Sequence, residues 1–404
     1  MSRPITHGSS ALAIMPQEPL SFDPTFLKEQ EARNYCRDNA TKSFVNPAVM
    51  LEFLEERENN ADWISGEDTR ALKVMLLEDS FAVYHALPQE IVHDTAKNTG
   101  LVIEGDNLQQ MALRSCAISS LQDRARISGA ALTKVSKPVL RNILNDCLDV
   151  ASDKATVRIR VADGKVSAVL SSEYVPLSMP TIFDAAVEYI NQRFPSNHFA
   201  GGSWSHILTT AEFELSGESE LIRAYTEALE KHGIEHDKVQ PGLRISSSDI
   251  GVSGVNLMPK LVVGQDRLLL PLGGPVGLEH KGDASMERFM ENLEGIFAQY
   301  GDRLEKLSHL LDVEIVFPEG CMKGIMKRLG IPKKYAAPTL EAFVRGFSDG
   351  DSCTAHDIYY GLGDLLFQLQ IHNASGEQIL RMEESIAKAL SLNFSEYDAP
   401  VDMS

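Results

Sequence analysis

The period of the apolar positions changes twice along this chain. From Pro47 to Val150 it is mostly three to four residues, the spacing that lines one face of a helix. Asn46 is a capping residue and Pro47 sits at the first helical position, so "AVMLEFLEERE" is predicted to be a helix. "SGEDTRALKVMLL" opens with Ser65 and Asp68 at capping-box spacing and predicts another. Residues 106–121, "DNLQQMALRSCAISSL", and 138–150, "PVLRNILNDCLDV", read as two more.

The middle of the chain alternates instead. "ATVRIRV" and "KVSAVLS" carry β-branched residues at period two on either side of "ADG", a hairpin signal. "SSEYVPLSMPTIFDAA" follows. Its Pro176 and Pro180 end the strand and pre-set a helical turn, and Ser178 or Thr181 can cap "TIFDAAVEYINQRF". "HILTTAEFEL" predicts a strand, and "SELIRAYTEALEKHG" a helix closed by Gly233. "LRISSSDIG", "VNLMPKLVV" and "RLLLPLGG" predict three further strands.

From Met286 to Leu311 the helical stripe returns, and it is expected to pack on the sheet. Shorter helices broken at Gly330 and Pro332 fill 320–347. Thr354 with Asp357, and Ser375 with Gln378, open two capped helices near the end. The order of elements predicts an α+β fold, with a mixed or antiparallel sheet in the middle of the chain packed between N-terminal and C-terminal helices. The expected organisation is a flexible arm (1–22), a helical region (23–150), a sheet-forming core (151–285), a helical region packing on it (286–395) and an acidic tail (396–404).

Composition narrows the class. A chain of 404 residues with 43% hydrophobic content is long enough for one large or two ordinary domains. Its five cysteines are scattered with no CxxC pair, as expected of reduced thiols. No apolar run reaches signal-peptide or membrane-span length, which predicts a cytoplasmic protein with no membrane partner. The net charge of −19 disfavours loose adhesion to polyanions, so any nucleic-acid site has to be a local basic patch.

"ADGKVSAVLSSEYVPLSMPTIFD" resembles a pattern of the phage- and plasmid-borne family catalogued as domain of unknown function 932. The matching positions are Asp163, Gly164, Leu170, Ser171, Tyr174 and Leu177. Where that family carries a charged pair this chain has Ser172 and Glu173, and in place of its Asp-Asn it has Ser178 and Met179. "GLRISSSDIG" is similar to a second family element at Ser247, Ser248, Asp249 and Gly251, and "LEHKGD" to a third at His280 and Gly282. The resemblance implies a mobile-element origin, in a bacterial host, and no particular activity.

Three places carry candidate chemistry. "CMKGIMKRLGIPKKYAAP" holds Lys323, Lys327, Arg328, Lys333 and Lys334 beside Tyr335, the combination that suits a phosphate backbone and one stacked base. Alternation puts Arg158 and Arg160 on one face of a hairpin strand, with Lys165 at its turn. Tyr174, at the strand-to-helix junction, either anchors the crossover with a buried ring or stacks on a base. Ser247, Ser248, Asp249 and His280 have no G-x-S-x-G elbow around them and read as turn formers. His232 and His236 have metal-ligand spacing, but Gly233 interrupts the helix between them. No metal, cofactor or enzyme constellation is implied.

Two expectations from different classes follow. One is a phage or plasmid accessory protein that binds single-stranded nucleic acid in recombination or replication. The alternative is a protein-binding factor (a host-defence inhibitor or nucleic-acid mimic) or a homo-oligomeric assembly protein, which the acidic surface suits.

Overall fold

A computed structural model describes residues 35–401 apart from 81–82, 84, 86, 152–154, 217–218, 235–238, 265–266 and 347–350. The arm expected at 1–22 lies outside the described residues. The N-terminal part runs β1 (Thr41–Phe44), α1 (Pro47–Asn59), β2 (Ala61–Asp68), β3 (Lys73–Leu76), α2 (Gln89–Lys97), β4 (Leu101–Glu104), β5 (Met111–Leu113), α3 (Ser115–Arg124) and α4 (Lys137–Asp149). The middle runs β6 (Thr156–Ala162), β7 (Lys165–Ser171), α5 (Met179–Arg193), β8 (His198–Ser205), β9 (Thr209–Glu214), α6 (Ser219–Lys231), β10 (Val239–Ser247), β11 (Val255–Val263), β12 (Leu268–Pro271) and β13 (Val276–Leu278). The last part runs α7 (Met286–Ala298), α8 (Tyr300–His309), β14 (Glu314–Ile315), α9 (Pro318–Arg328), α10 (Lys333–Val344), β15 (Cys353–Thr354), α11 (Ala355–Ile371) and α12 (Gly376–Ala389).

The fold is α+β, built on two main sheets. One is antiparallel, in the order β1-β8-β9-β10-β11-β12, with β13 beside β11. The other runs β2-β6-β7-β5-β4-β3 and is mixed, because β5 and β7 are parallel. The first sheet buries Phe213, Leu243, Ile245 and Leu257 against Phe53 of α1, Phe183 of α5 and Leu293 of α7. The second buries Val157, Ile159 and Val169 against Leu121 of α3 and Leu144 and Leu148 of α4. A third core gathers Tyr225 of α6, Leu261 of β11, Tyr300 of α8, Ile325 of α9, Leu362 of α11 and Ile386 of α12, and burial of this kind stabilises at about 25 cal/mol per Å² of apolar surface.

Local signals place several elements. The Asn46 side chain accepts from the Ala48 and Val49 amides and starts α1. Ser178, rather than Thr181, caps α5. Both predicted capping boxes form, at Thr354 with Asp357 and at Ser375 with Gln378. Asp163 (φ 52°) and Gly164 (φ 71°) make a two-residue hairpin turn between β6 and β7, the backbone geometry that Asp-Gly favours.

Two expected helices are corrected. "SGEDTRALKVMLL" instead completes β2, makes a short 3₁₀ turn over Thr69–Ala71 and forms β3. Fully buried Glu67 accepts the Asp106 and Asn107 amides, and β2 pairs with β6, so tertiary partners override the local cap signal. In 106–121, β5 precedes α3 and pairs with β7. The region 23–150 is therefore not helical throughout: four of its strands, β2 to β5, join β6 and β7 in one sheet. "LVIE" and "MAL" are short and largely buried, so they lack the alternation that would mark them in sequence. The long stripe after Met286 also divides at Gln299, with Phe289, Leu293 and Ile296 entering one core and Tyr300, Leu304 and Leu307 another.

The acidic tail is docked rather than loose over 396–401. Asp398 accepts the Val316 and Phe317 amides at 3.0 and 2.7 Å, satisfying donors ahead of α9. Gly320 lets the tail approach, because a Cβ there would collide with the Ala399 carbonyl. Among the described residues no helix is long and apolar enough to cross a membrane.

Candidate functional site

The structure separates the ten candidate residues into two groups of opposite fate. The hairpin group turns inward. Arg160 pairs with Asp249 at 2.5 Å and donates to the Ser167 hydroxyl. Arg158 donates to the Tyr174 carbonyl at 2.9 Å. Lys165, fully buried, meets Asp38 at 3.0 Å and Asp94 at 2.6 Å. Strand alternation does put Arg158 and Arg160 on one face, but that face looks into the protein, so neither they nor Lys165 form an outer grip on a backbone.

Lys165 belongs to a longer buried chain of charges. Asp94 and Asp38 flank it, Asp38 also faces Arg114 at 3.8 Å, and Asp163 pairs with both Arg114 and Arg57. Three cations and three carboxylates alternate, which is the condition for keeping charges out of water. Burial works to raise the Asp94 carboxyl, but hydrogen bonding and charge from Lys165 outweigh it and hold it below its ordinary range. Burial pushes Arg114 down from its ordinary value, and Asp163 and Asp38 are among the charges that oppose this. The turn residue Asp163, one of the positions of family resemblance, is thus an anchor of the interior.

Tyr174 is also an anchor. Its ring lies between Trp63, with centroids 5.5 Å apart and planes at 28°, and His280, at 5.0 Å and 18°. The hydroxyl donates to the Ser248 carbonyl, and residues 174–175 bridge to 280–281. Both ring faces are taken by protein, so Tyr174 has none to offer a base. Burial raises the phenol above its ordinary value. Ser247 and His280 do meet, Oγ to Nε2 at 3.5 Å, with His280 Nδ1 on the Val175 carbonyl. Ser247 is fully buried. His232 contacts the Ala228 carbonyl and Asp312, and His236 lies outside the described residues.

The second group faces water. α9 buries Cys321, Met322, Ile325 and Met326 and exposes Lys323, Lys327 and Arg328. Gly330, at φ 71°, turns the chain, and α10 then exposes Lys333 and Lys334. Among the described residues none of these five cations meets a carboxylate. Tyr335 does not join them: it is 4% exposed, edge-on to His372 at 5.5 Å, with the Lys334 ammonium 4.4 Å above its ring.

A cleft of about 290 Å³ opens between the two sheets, walled by parts of α1, β2, β6, the 174–179 junction and the β8–β9 turn. Trp63, Arg160, Asp249, Arg57, Trp204 and His206 line it. His206 is 8% exposed, and burial beside Arg114 and Arg57 holds its pKa well below the ordinary value, so the ring is neutral. Sequence reasoning misses Arg57, Arg114, Trp204 and His206. Asp163 is the one local signal, and its partner Arg57 stands 106 residues away.

No family model matches the chain, and no curated protein and no solved structure matches it.

Proposed function

We propose that this chain is a mobile-element accessory protein, acting in the cytoplasm of a bacterial host, that holds single-stranded nucleic acid by its phosphates on the surface of α9 and α10. One observation carries the reading. Five exposed cations lie within twelve residues and meet no carboxylate among the described residues, in a chain of net charge −19. Cations displayed this way release condensed counterions when they meet a polyanion, and that release drives binding. Because Tyr174 and Tyr335 are both buried, base stacking contributes little and the grip is tolerant of sequence.

Fluorescence anisotropy with a labelled oligothymidylate tests this. Binding should be measurable at low salt, with a logarithmic salt slope no steeper than roughly −3.5, the limit for five phosphate contacts on a single strand. Lys327→Glu, Arg328→Glu, Lys333→Glu and Lys334→Glu combined should abolish it. Absence of binding at low salt, or full affinity in the fourfold variant, sinks the reading.

A further inference from the structure

The antiparallel sheet ends at β12, and that edge is only partly covered. β12 pairs with β11 in the register Leu270 with Leu261 and Pro271 with Lys260. The Leu272 amide donates to the Pro259 carbonyl, so Leu272, Leu270 and Leu268 turn their backbone groups toward β11, and Pro271 and Leu269 turn theirs away. α11 runs along this outer side. Its Tyr359 hydroxyl donates to the Pro271 carbonyl. One turn later Gly363 lies so close to Leu268 that a Cβ there would meet the leucine side chain at 2.9 Å. Beyond Gly363 a groove of about 400 Å³ opens between strand and helix, within the range of roughly 300 to 1,000 Å³ that ligand sites occupy.

The groups that line this groove lack partners. The outward N–H and C=O of Leu269 are bonded to nothing among the described residues. The Asp364 carboxylate meets no cation and no donor among them, and burial raises its pKa above the ordinary value. Phe367, in the groove wall, and Ile371, one turn on, are each 55% exposed. Arg267, the one cation in the wall, is already paired with buried Glu214. The groove thus offers one backbone pair, an apolar wall and one uncompensated negative charge.

We propose that this groove docks an extended segment of a partner protein with alternating apolar and basic side chains. The segment pairs with Leu269 as an added strand, seats an apolar side chain against Leu268 and Phe367, and brings a lysine or arginine to Asp364. Pro271 has no N–H and its carbonyl is taken, so the edge offers little backbone and the side chains carry the selectivity. Charge favours such a partner over a second copy, which would bring another Asp364 on another chain of net charge −19. None of the five α9–α10 cations lines the groove.

Fluorescence anisotropy of the full chain with labelled, end-blocked hexapeptides tests this. One peptide alternates valine and lysine, and the other valine and glutamate. The lysine peptide should bind saturably, and the glutamate peptide at least tenfold more weakly. A lysine peptide N-methylated at every backbone amide keeps its charges but cannot pair as a strand, and it should not bind. Asp364→Asn and Phe367→Ser, both at the open groove, should each weaken the lysine peptide roughly tenfold. The proposal is overturned if the lysine peptide does not bind, if the glutamate or N-methylated peptide binds equally well, or if either variant keeps full affinity. It is also overturned by a dimer in sedimentation that Phe367→Ser dissociates, which would give the groove to a second copy.

Discussion

Lys165 and Lys327 are the same residue type, each in a short run that reads as basic, yet they do opposite work. Lys165 lies at the end of a hairpin with its ammonium between Asp38 and Asp94, beyond the reach of solvent. Lys327 stands on the outer face of α9 with water around it. Lys165, with Arg57 and Arg114, neutralises a buried row of carboxylates, whereas the α9–α10 cations neutralise nothing that the described residues contain. A charge enclosed by protein changes stability when its partner is removed. A charge in water changes stability little and is free to change binding.

That contrast can be broken first at Asp163. Asp163→Asn keeps a residue that accepts the positive φ of the turn but strips the charge facing Arg57 and Arg114. It should cost about 3–5 kcal/mol in chemical denaturation, because two buried cations lose their shared partner. A loss under about 1 kcal/mol would mean that the row is hydrated and that the contrast is overstated.

The next effect is in pH. His356 is buried against the Tyr225 hydroxyl, and burial depresses its pKa to about 4. Between about 6.5 and 4 the unfolded chain binds this proton and the folded chain does not, so stability is complete above 6.5 and falls as pH falls. His356 alone should remove roughly 3 kcal/mol across that window, and His206 and His280, also depressed by burial, act in the same direction. Denaturation midpoints measured against pH should slope more gently in His356→Gln. Parallel curves would refute this assignment.

The smallest effect belongs to the outer group. The fourfold α9–α10 reversal that abolishes oligonucleotide binding should change stability by no more than about 0.5 kcal/mol per substituted site. A large loss of stability would show that those side chains are engaged in the fold and would erase the difference from the hairpin.

Legibility in the sequence follows the range of the interaction. The caps at Asn46, Thr354 and Ser375 and the Asp163–Gly164 turn are each specified within four residues, and all form where the pattern puts them. β4 and β5 are hidden because strands of three or four residues that are largely buried show no period, and β3 is too short, at four residues, to show one. The helix expected at 65–77 fails because Glu67 serves amides nearly forty residues away. Of the candidate site, the α9–α10 cations are legible, since helical spacing alone separates their exposed face from the buried one. The cleft is not: its walls come from segments as far apart as Arg57 and Asp249.

By itself the sequence determined the α+β class, most helix limits, the central hairpin and a basic run on an acidic chain, because spacing and local hydrogen bonds encode these. Only the tertiary structure decided which positive charges stay in water and which are consumed inside, and only it assembled the cleft. Both depend on partners far apart in the chain, from 49 to 127 residues in the buried charge row, and the exposure of a charge is a property of its neighbours in space, which residue type and local pattern do not record.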